Sequence, residues 1–488
     1  MIKLSFIKDS LLYTIGNALP MAASIILLPF YVNYLNPANY VALSFYIGIS
    51  LLYQIFFSFS FEQYYGVVYT ELKQDEEKVK VLNGSVFIYL MIYGGIITLI
   101  TMLIGNPILK TIFKDPAISV SFYPYGLLSV LTAFFNALFK VSMSTYIYAG
   151  KPKVFFYSNL TNFFATVVIS LSGLFLFPDT LAGPIYGRFL SALIILILNL
   201  WILKNSIKWT YNHTYINEFV QKSWSLFAYS LVLWIMGNID RYFLKNYISV
   251  NDLASYDLIL KCFIGVEFIQ NGLSMAIISK VFDIWKNNEK VQFSKESNRY
   301  FNVFIWANTF FVLIFTFFLP FFIRLIVKDE KYYSAFSYIG IIAAAYIVRT
   351  LYYPYNFAYL FSKKTFFFFI INACTILIQT IAFYFFTSAY GILAVVFIVL
   401  LTRFITVLWL HIHVSKNIAD LNISYLKWYV IPLLSVCMYL LAFFVFSQII
   451  EVLNVAVIVV FLILSWYAYN NEFRDILPML KNKMFARH

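Results

Sequence analysis

Charge is scarce in this sequence. Asp, Glu, Lys and Arg make up only 12% of its 488 residues, whereas 62% are hydrophobic. With a mean hydropathy of +0.80, a water-soluble fold could not hide its apolar side chains, so the composition is that of a polytopic membrane protein. Long polar stretches are missing too. None exceeds about twenty residues, which leaves no room for an ATPase or a separate catalytic domain. Only three cysteines occur, Cys262, Cys374 and Cys437, and all fall inside apolar segments. That excludes a disulfide framework. The four histidines (His213, His411, His413 and His488) form no ligand constellation, and no metal or organic cofactor is expected.

What remains is apolar sequence in blocks long enough to cross a bilayer, about 20 residues each as helix. Fourteen segments qualify: 10–31, 41–61, 84–105, 122–148, 154–177, 181–203, 223–248, 255–281, 300–327, 334–361, 365–388, 390–413, 428–446 and 452–469. Lys3 and Lys8 precede the first block as they would in a signal peptide. The apolar run continues to Tyr31 without a small-residue cleavage site, so it reads as the first membrane helix.

Positive charge orients the chain. With the N-terminus cytoplasmic, the inner segments carry 23 Lys and Arg residues and the outer ones only Lys110, Lys114, Lys245, Lys328 and Lys331. Both termini are therefore expected inside. The net charge of +13 reflects this topology and implies no nucleic-acid partner.

The remaining basic residues lie within the spans: Lys140, Arg188, Arg241, Lys261, Arg324, Arg349 and Arg403. Four acids share that depth, Glu62, Asp240, Asp257 and Glu267. An ionised group there costs roughly 2.5–3.5 kcal/mol on insertion scales, so it pairs or faces a wet cavity. Residues 224–281 concentrate five of these charges and organise the rest. Asp257 and Lys261 stand one helical turn apart, which fits a structural ion pair and a substrate contact alike. Asp240 and Arg241 are adjacent, so each needs its own partner, with Lys261 and Asp257 as the cross-helix choices. Glu267 fits a proton or sodium site, or neutralises an arginine. Arg349 has no acid nearby in sequence and is the first candidate for a cationic cavity, followed by Lys140. Arg188 and Arg403 each precede Phe at matching places in the sixth and twelfth spans, which hints at a structural role.

A faint repeat at an offset of 213 pairs Phe30, Asn33 and Tyr34 with Phe243, Asn246 and Tyr247. It also pairs Tyr146, Lys151, Phe155, Phe156 and Asn159 with Tyr359, Lys364, Phe368, Phe369 and Asn372. A parallel repeat of this kind places two six-helix bundles about a pseudo-two-fold axis normal to the membrane. The expected organisation is a first bundle at 1–203, a cytoplasmic linker at 204–222, a second bundle at 223–413, and two extra helices with a basic tail at 414–488.

Three local stretches carry a family resemblance. Tyr34-Leu35-Asn36-Pro37-Ala38-Asn39-Tyr40 resembles the L-G-P-x-x-Y-G turn after the first helix of the polysaccharide branch of the multidrug/oligosaccharidyl-lipid/polysaccharide exporter superfamily. Asn36 and Val41 stand in place of its two glycines. Asn238-Ile239-Asp240-Arg241 resembles that branch's N/S-x-D-R pattern in helix seven. Tyr148-Ala149-Gly150-Lys151-Pro152-Lys153 resembles its short basic turn after helix four. The resemblance implies an all-α Wzx-type flippase for an undecaprenyl-diphosphate-linked oligosaccharide, an O-antigen (lipopolysaccharide) or capsule repeat unit, in the bacterial inner membrane. It implies membrane lipids as surroundings, a polysaccharide polymerase and a chain-length regulator as partners, and coupling to a proton or sodium gradient.

The chemistry agrees with it on separate grounds. A diphosphate cannot cross hydrocarbon without replacement for its water, and arginine forks bind phosphate oxygens in pairs. Arg349, Lys140, Arg241, Lys261, Arg403 and Arg188 are thus the substrate candidates, with Glu267, Asp240 and Asp257 for ion coupling or charge pairing. The rivals are a multidrug or cation antiporter of the same fold, and a flippase for another polyprenyl-linked substrate such as lipid II or a teichoic precursor. A membrane enzyme such as a polymerase would need a large outer loop carrying its catalytic residues, and the outer loops here are short.

Overall fold

The chain is a succession of helices. This computed structural model describes residues 4–113, 118, 120–287, 291–445 and 450–470, and no strand occurs among them. In hydrocarbon every backbone N–H and C=O needs an internal partner, which a helix supplies within one segment. The helices are α1 (Leu4–Tyr34), α2 (Pro37–Ser58), α3 (Phe61–Leu72), α4 (Glu76–Ile112), α5 (Leu127–Tyr148), α6 (Pro152–Leu176), α7 (Ala182–Leu203) and α8 (His213–Leu244). They continue as α9 (Val250–Asn287), α10 (Lys295–Ile326), α11 (Ile339–Thr350), α12 (Tyr352–Phe361), α13 (Thr365–Asn417), α14 (Ile431–Val445) and α15 (Ile450–Ala468).

Eleven helical stretches among the described residues are long and apolar enough to cross a membrane, where fourteen were expected. The difference has physical sources. The expected spans 365–388 and 390–413 run together as α13, bent at Gly391, whose φ of 53° only glycine adopts easily. The expected span 223–248 lies in α8, where Asn238, Asp240 and Arg241 dilute the apolar sequence. The last span is a shorter apolar helix, Asn454–Ala468.

By internal contacts the chain forms two compact units, Met1–Ile239 and Asp240–His488, with the division falling inside α8. In the first unit α6 packs on α1 and α7, and α5 packs on α2 and α7. Gly173 and Gly183 let α6 and α7 touch backbone to backbone: a Cβ on Gly183 would lie 2.3 Å from the Gly173 carbonyl oxygen. Small residues at such crossings are how helices associate without a hydrophobic driving force. On α4, Ile92, Ile96, Leu99 and Leu103 form an outward apolar stripe, suited to lipid tails.

Two turns tie this unit together at opposite ends. Residues 207–212 run as an extended strap along the start of α4. Lys208 N–H donates to the Lys80 carbonyl (3.0 Å), Asn83 Nδ2 to the Ser206 carbonyl (2.8 Å) and Ser85 Oγ to the Thr210 carbonyl (3.0 Å). At the other end Asn36 caps α2, accepting from Asn39 N–H (2.9 Å), with Pro37 preset for the first turn.

In the second unit α11 is the buried centre, with α10, α13 and α14 around it. Its sequence is apolar on every face (Ile341, Ala343, Ala344 and Ile347 are buried), the pattern of a helix enclosed on all sides. Of the last two helices, α15 packs on α10 and α14, and α14 also packs on α11. Trp428 fixes their entry by donating to Asn302 Oδ1 (2.9 Å).

Candidate functional site: charges at membrane depth

In the first unit, α2 ends where Phe59 and Ser60 take positive φ (46° and 55°). That break places Glu62 in the first turn of α3. There its Oε1 meets Lys140 Nζ of α5 at 2.7 Å. Lys140 is thus a neutralised cation, and the Ser144 hydroxyl adds a bond to the Glu62 carbonyl (3.2 Å).

The α8–α9 hairpin gathers four charges in the second unit. Arg241 Nε lies 2.6 Å from Asp257 Oδ1, and Lys261 Nζ lies 2.8 Å from Asp257 Oδ2. One buried carboxylate therefore serves two cations, one across helices and one a turn away. Asp240, also buried, accepts from the Tyr256 hydroxyl (2.6 Å) and from Arg241 N–H (2.8 Å).

Further along α9 a second cluster forms around Tyr346 of α11. Arg349 Nη1 stands 2.5 Å from Glu267 Oε1, and the Tyr346 hydroxyl donates to the same oxygen (3.1 Å). Arg403 of α13 lies over the Tyr346 ring, 4.6 Å from its centroid, and Arg349 lies 5.8 Å from it, both within the range of cation–π attraction. Gln270 Nε2 donates to the Tyr346 carbonyl (3.1 Å), and Phe263 stacks on the ring at 4.8 Å. The site is thus a tyrosine ring with Phe263 stacked on it and two guanidiniums within cation–π range.

The structure redistributes the candidates. Arg349, placed first for want of an acid nearby in sequence, has Glu267 as its counter-ion, the neutralising role read as one option for that glutamate. Asp257 joins both Arg241 and Lys261. Arg188 and Arg403 have no carboxylate partner among the described residues. The Arg403 Nε and Nη1 atoms are buried without a hydrogen-bond acceptor there. Such donors retain their full capacity for an oxyanion. Arg324, in the last turn of α10, lies 6.0 Å from the Phe336 ring centroid.

Sequence reasoning missed Tyr346 and Tyr256. Tyr346 sits one helical turn before Arg349, so spacing alone would have flagged it. It also missed Asp179, in the loop between α6 and α7. Its carboxylate accepts from Asn36 N–H (2.7 Å), Asn36 Nδ2 (3.0 Å) and Asn39 Nδ2 (3.2 Å), clasping the turn whose sequence carried the resemblance.

Comparisons with known proteins agree with this architecture. Residues 35–265 match the family model described as polysaccharide biosynthesis protein. Among solved structures, the lipid II flippase MurJ in an inward closed conformation is 18% identical with a TM-score of 0.68, over 95% of this chain and 99% of that one. A mutant of the Vibrio cholerae MATE transporter VcmN is 12% identical with a TM-score of 0.59, over 84% and 95%. A MOP superfamily transporter from Pyrococcus furiosus, whose title describes a binding pocket of reverse polarity, is 13% identical with a TM-score of 0.57, over 84% and 95%. No curated protein sequence matches the chain. The chain thus shares its fold with these flippase and transporter structures. The match over residues 35–265 is in keeping with the resemblance to the polysaccharide branch.

Proposed function

We propose that the protein is a flippase that carries an undecaprenyl-diphosphate-linked oligosaccharide, an O-antigen or capsule repeat unit, from the cytoplasmic to the outer leaflet of the bacterial inner membrane. Transport proceeds by alternating access, makes and breaks no covalent bond, and leaves the lipid tail in the bilayer. A polysaccharide polymerase and a chain-length regulator act on the delivered unit. The observation that carries this reading is Arg403: a guanidinium at membrane depth whose buried Nε and Nη1 lack acceptors among the described residues. Each of these donors can take a phosphate oxygen in a charge-assisted bond. Arg349 stands beside the same tyrosine, already balanced by Glu267, so an anion arriving at Arg403 meets a surplus of positive charge. The gradient that drives the cycle is coupled at Asp240, whose side-chain contacts are with a phenol and a backbone N–H while Asp257 and Glu267 are held in ion pairs.

The test is made in cells that lack this protein but keep the glycan-assembly enzymes. Lipids are extracted, and a glycan-binding probe on intact and inverted vesicles reports the leaflet. Single repeat units accumulate facing the cytoplasm, and wild type clears them. Arg403→Gln clears them at least about tenfold more slowly, as expected for a lost charge-assisted contact of about 1.5–3 kcal/mol. Normal clearance by the variant removes Arg403 from the site and leaves the flippase reading intact. Absence of any accumulated lipid-linked sugar refutes the flippase reading and directs attention to drug or ion efflux.

A further inference from the structure

One face of α9 is left uncovered in the middle of its span. Tyr256, Ile259, Phe263, Val266, Gln270 and Ser274 recur at helical spacing and are all buried, and Phe263 and Gln270 among them reach Tyr346 of α11. Gly265, Phe268, Gly272 and Met275 share the opposite side of the helix. Phe268 is 39% exposed and Met275 71%, and a Cβ on either glycine would meet nothing within 4 Å. No aromatic ring packs on Phe268 among the described residues.

This face meets water and not lipid, because polar groups flank the ring. Asn271, one turn from Phe268, is exposed. The Tyr353 hydroxyl of α12 donates to its Oδ1 (2.7 Å), which fixes the amide and leaves the Nδ2 donors free toward the open side. Glu267, the residue before Phe268, receives Arg349 and Tyr346 on Oε1 alone. Its other oxygen remains an acceptor, and its side chain is 31% exposed. An open amide and a partly open ion pair at mid-span are costly against hydrocarbon and normal beside water.

An open aromatic ring, an oriented donor and a spare acceptor within one helical turn suit a pyranose. One face of a sugar ring is lined by C–H groups that pack on an aromatic surface, and its edge carries hydroxyls for an amide and a carboxylate. Glycine on both sides lets the sugar lie close to the helix backbone. An isoprenoid tail would use the ring but neither polar group. We propose that the α9 face around Phe268 is a platform for the sugar joined directly to the diphosphate of the carried lipid, stacked on Phe268 and hydrogen-bonded by Asn271 and Glu267. The proposal rests on reading the protein as a carrier of a diphosphate-linked glycan, and it concerns the part of that substrate which Arg403 does not touch. Glu267 places the two side by side, since it pairs with Arg349 and precedes Phe268 in the chain.

Full-length protein in phosphatidylcholine nanodiscs is titrated with farnesyl diphosphate and with farnesyl-diphosphate-linked glucose, galactose and N-acetylglucosamine. At least one sugar probe is expected to bind about tenfold more tightly than the bare diphosphate, as a few net hydrogen bonds and a stacked ring would give. Phe268→Ala should abolish that preference while leaving the affinity for bare farnesyl diphosphate unchanged. Gly272→Leu, which fills the space beside the ring, should do the same, Asn271→Ala should reduce the preference several-fold, and Phe268→Trp should keep it. Phe268 is exposed, so its truncation spares the fold, and an unchanged melting temperature checks this. A preference that survives both Phe268→Ala and Gly272→Leu overturns the platform, as does the absence of any preference in the wild type. Equal weakening of all four probes by Phe268→Ala means that the ring holds the isoprenoid tail, and overturns it too. Arg403→Gln is expected to weaken all four probes alike. If it does not, while the sugar preference still depends on Phe268, the platform stands and the diphosphate site falls. If no probe binds, the carrier reading fails and the platform falls with it.

Discussion

Asp179 shows how much one side chain can hold at the residue scale. Its backbone takes φ of 54°, a left-handed conformation that Asp tolerates better than most residues. Its N–H donates to the Tyr34 carbonyl (2.9 Å) while its carboxylate receives three N–H groups from Asn36 and Asn39. Partial burial pushes the carboxyl up, but the bonds from the Asn36 backbone and side chain and from Asn39 outweigh it and hold the group below its ordinary value. A depressed carboxylate stabilises the fold fully above its unfolded pKa of about 3.9. That contribution is lost as pH falls through the lower folded value. Amide exchange at Asn36 is therefore expected to stay slow from neutral pH down to about pH 4 and to quicken below it, after correction for intrinsic rates. Asp179→Asn should quicken exchange already at neutral pH and remove the acid transition. Slow exchange in that variant at neutral pH means that the clasp is held by the backbone alone.

At the scale of elements, the strap of residues 207–212 belongs to α4 because Gly84 lets it approach. A Cβ on Gly84 would sit 1.8 Å from the Lys208 carbonyl oxygen, a backbone atom that cannot rotate away. Gly84→Ala is expected to lift the strap, breaking the Asn83 and Ser85 bonds, at a cost of about 1–3 kcal/mol typical of overpacking. Gly95→Ala on the same helix meets nothing within 4 Å and serves as the neutral control. Limited proteolysis from the strap's side should cut between residues 204 and 212 in the first variant and spare the second. The elements themselves were largely legible in the sequence, because apolar length is a local property. The breaks after Ser58 and at Leu351 were not. Neither carries glycine, and only the surrounding helices force the turn there. The ion pairs were legible where they follow helical spacing, as in Asp257 with Lys261, or join consecutive spans, as in Arg241 with Asp257. Arg349 with Glu267 and Lys140 with Glu62 join distant helices, so no spacing announces them. Repetition of Arg-Phe in the sixth and twelfth spans was visible, but its meaning was not. Only after the carboxylates had been allotted did Arg188 and Arg403 stand out as the residues without one.

On the scale of the whole molecule, the distribution of lysine and arginine makes a statement about orientation that the helices do not. The segments expected inside carry 23 basic residues and those expected outside five, and the strap and the clasp lie on opposite sides of that division. The strap carries Lys208 at 3.1 Å from Glu77, beside a half-buried Lys80 that also meets Glu76 and Glu77, a charged group suited to an aqueous, anionic-lipid surface. The clasp side carries no lysine or arginine between Pro178 and Tyr186. In a background with Cys262, Cys374 and Cys437 replaced, Thr180→Cys is expected to react with a membrane-impermeant maleimide on intact cells. Lys208→Cys is expected to react only after the membrane is opened. The reverse pattern would invert the protein in the bilayer. It would then turn the proposed direction of transport around and leave the 23 basic residues on the face where the positive-inside rule forbids them. Labelling of both positions on intact cells would instead mean that the strap is reached through an open passage. The cationic residues at membrane depth would then need to be mapped in that open state before any of them is assigned to the substrate.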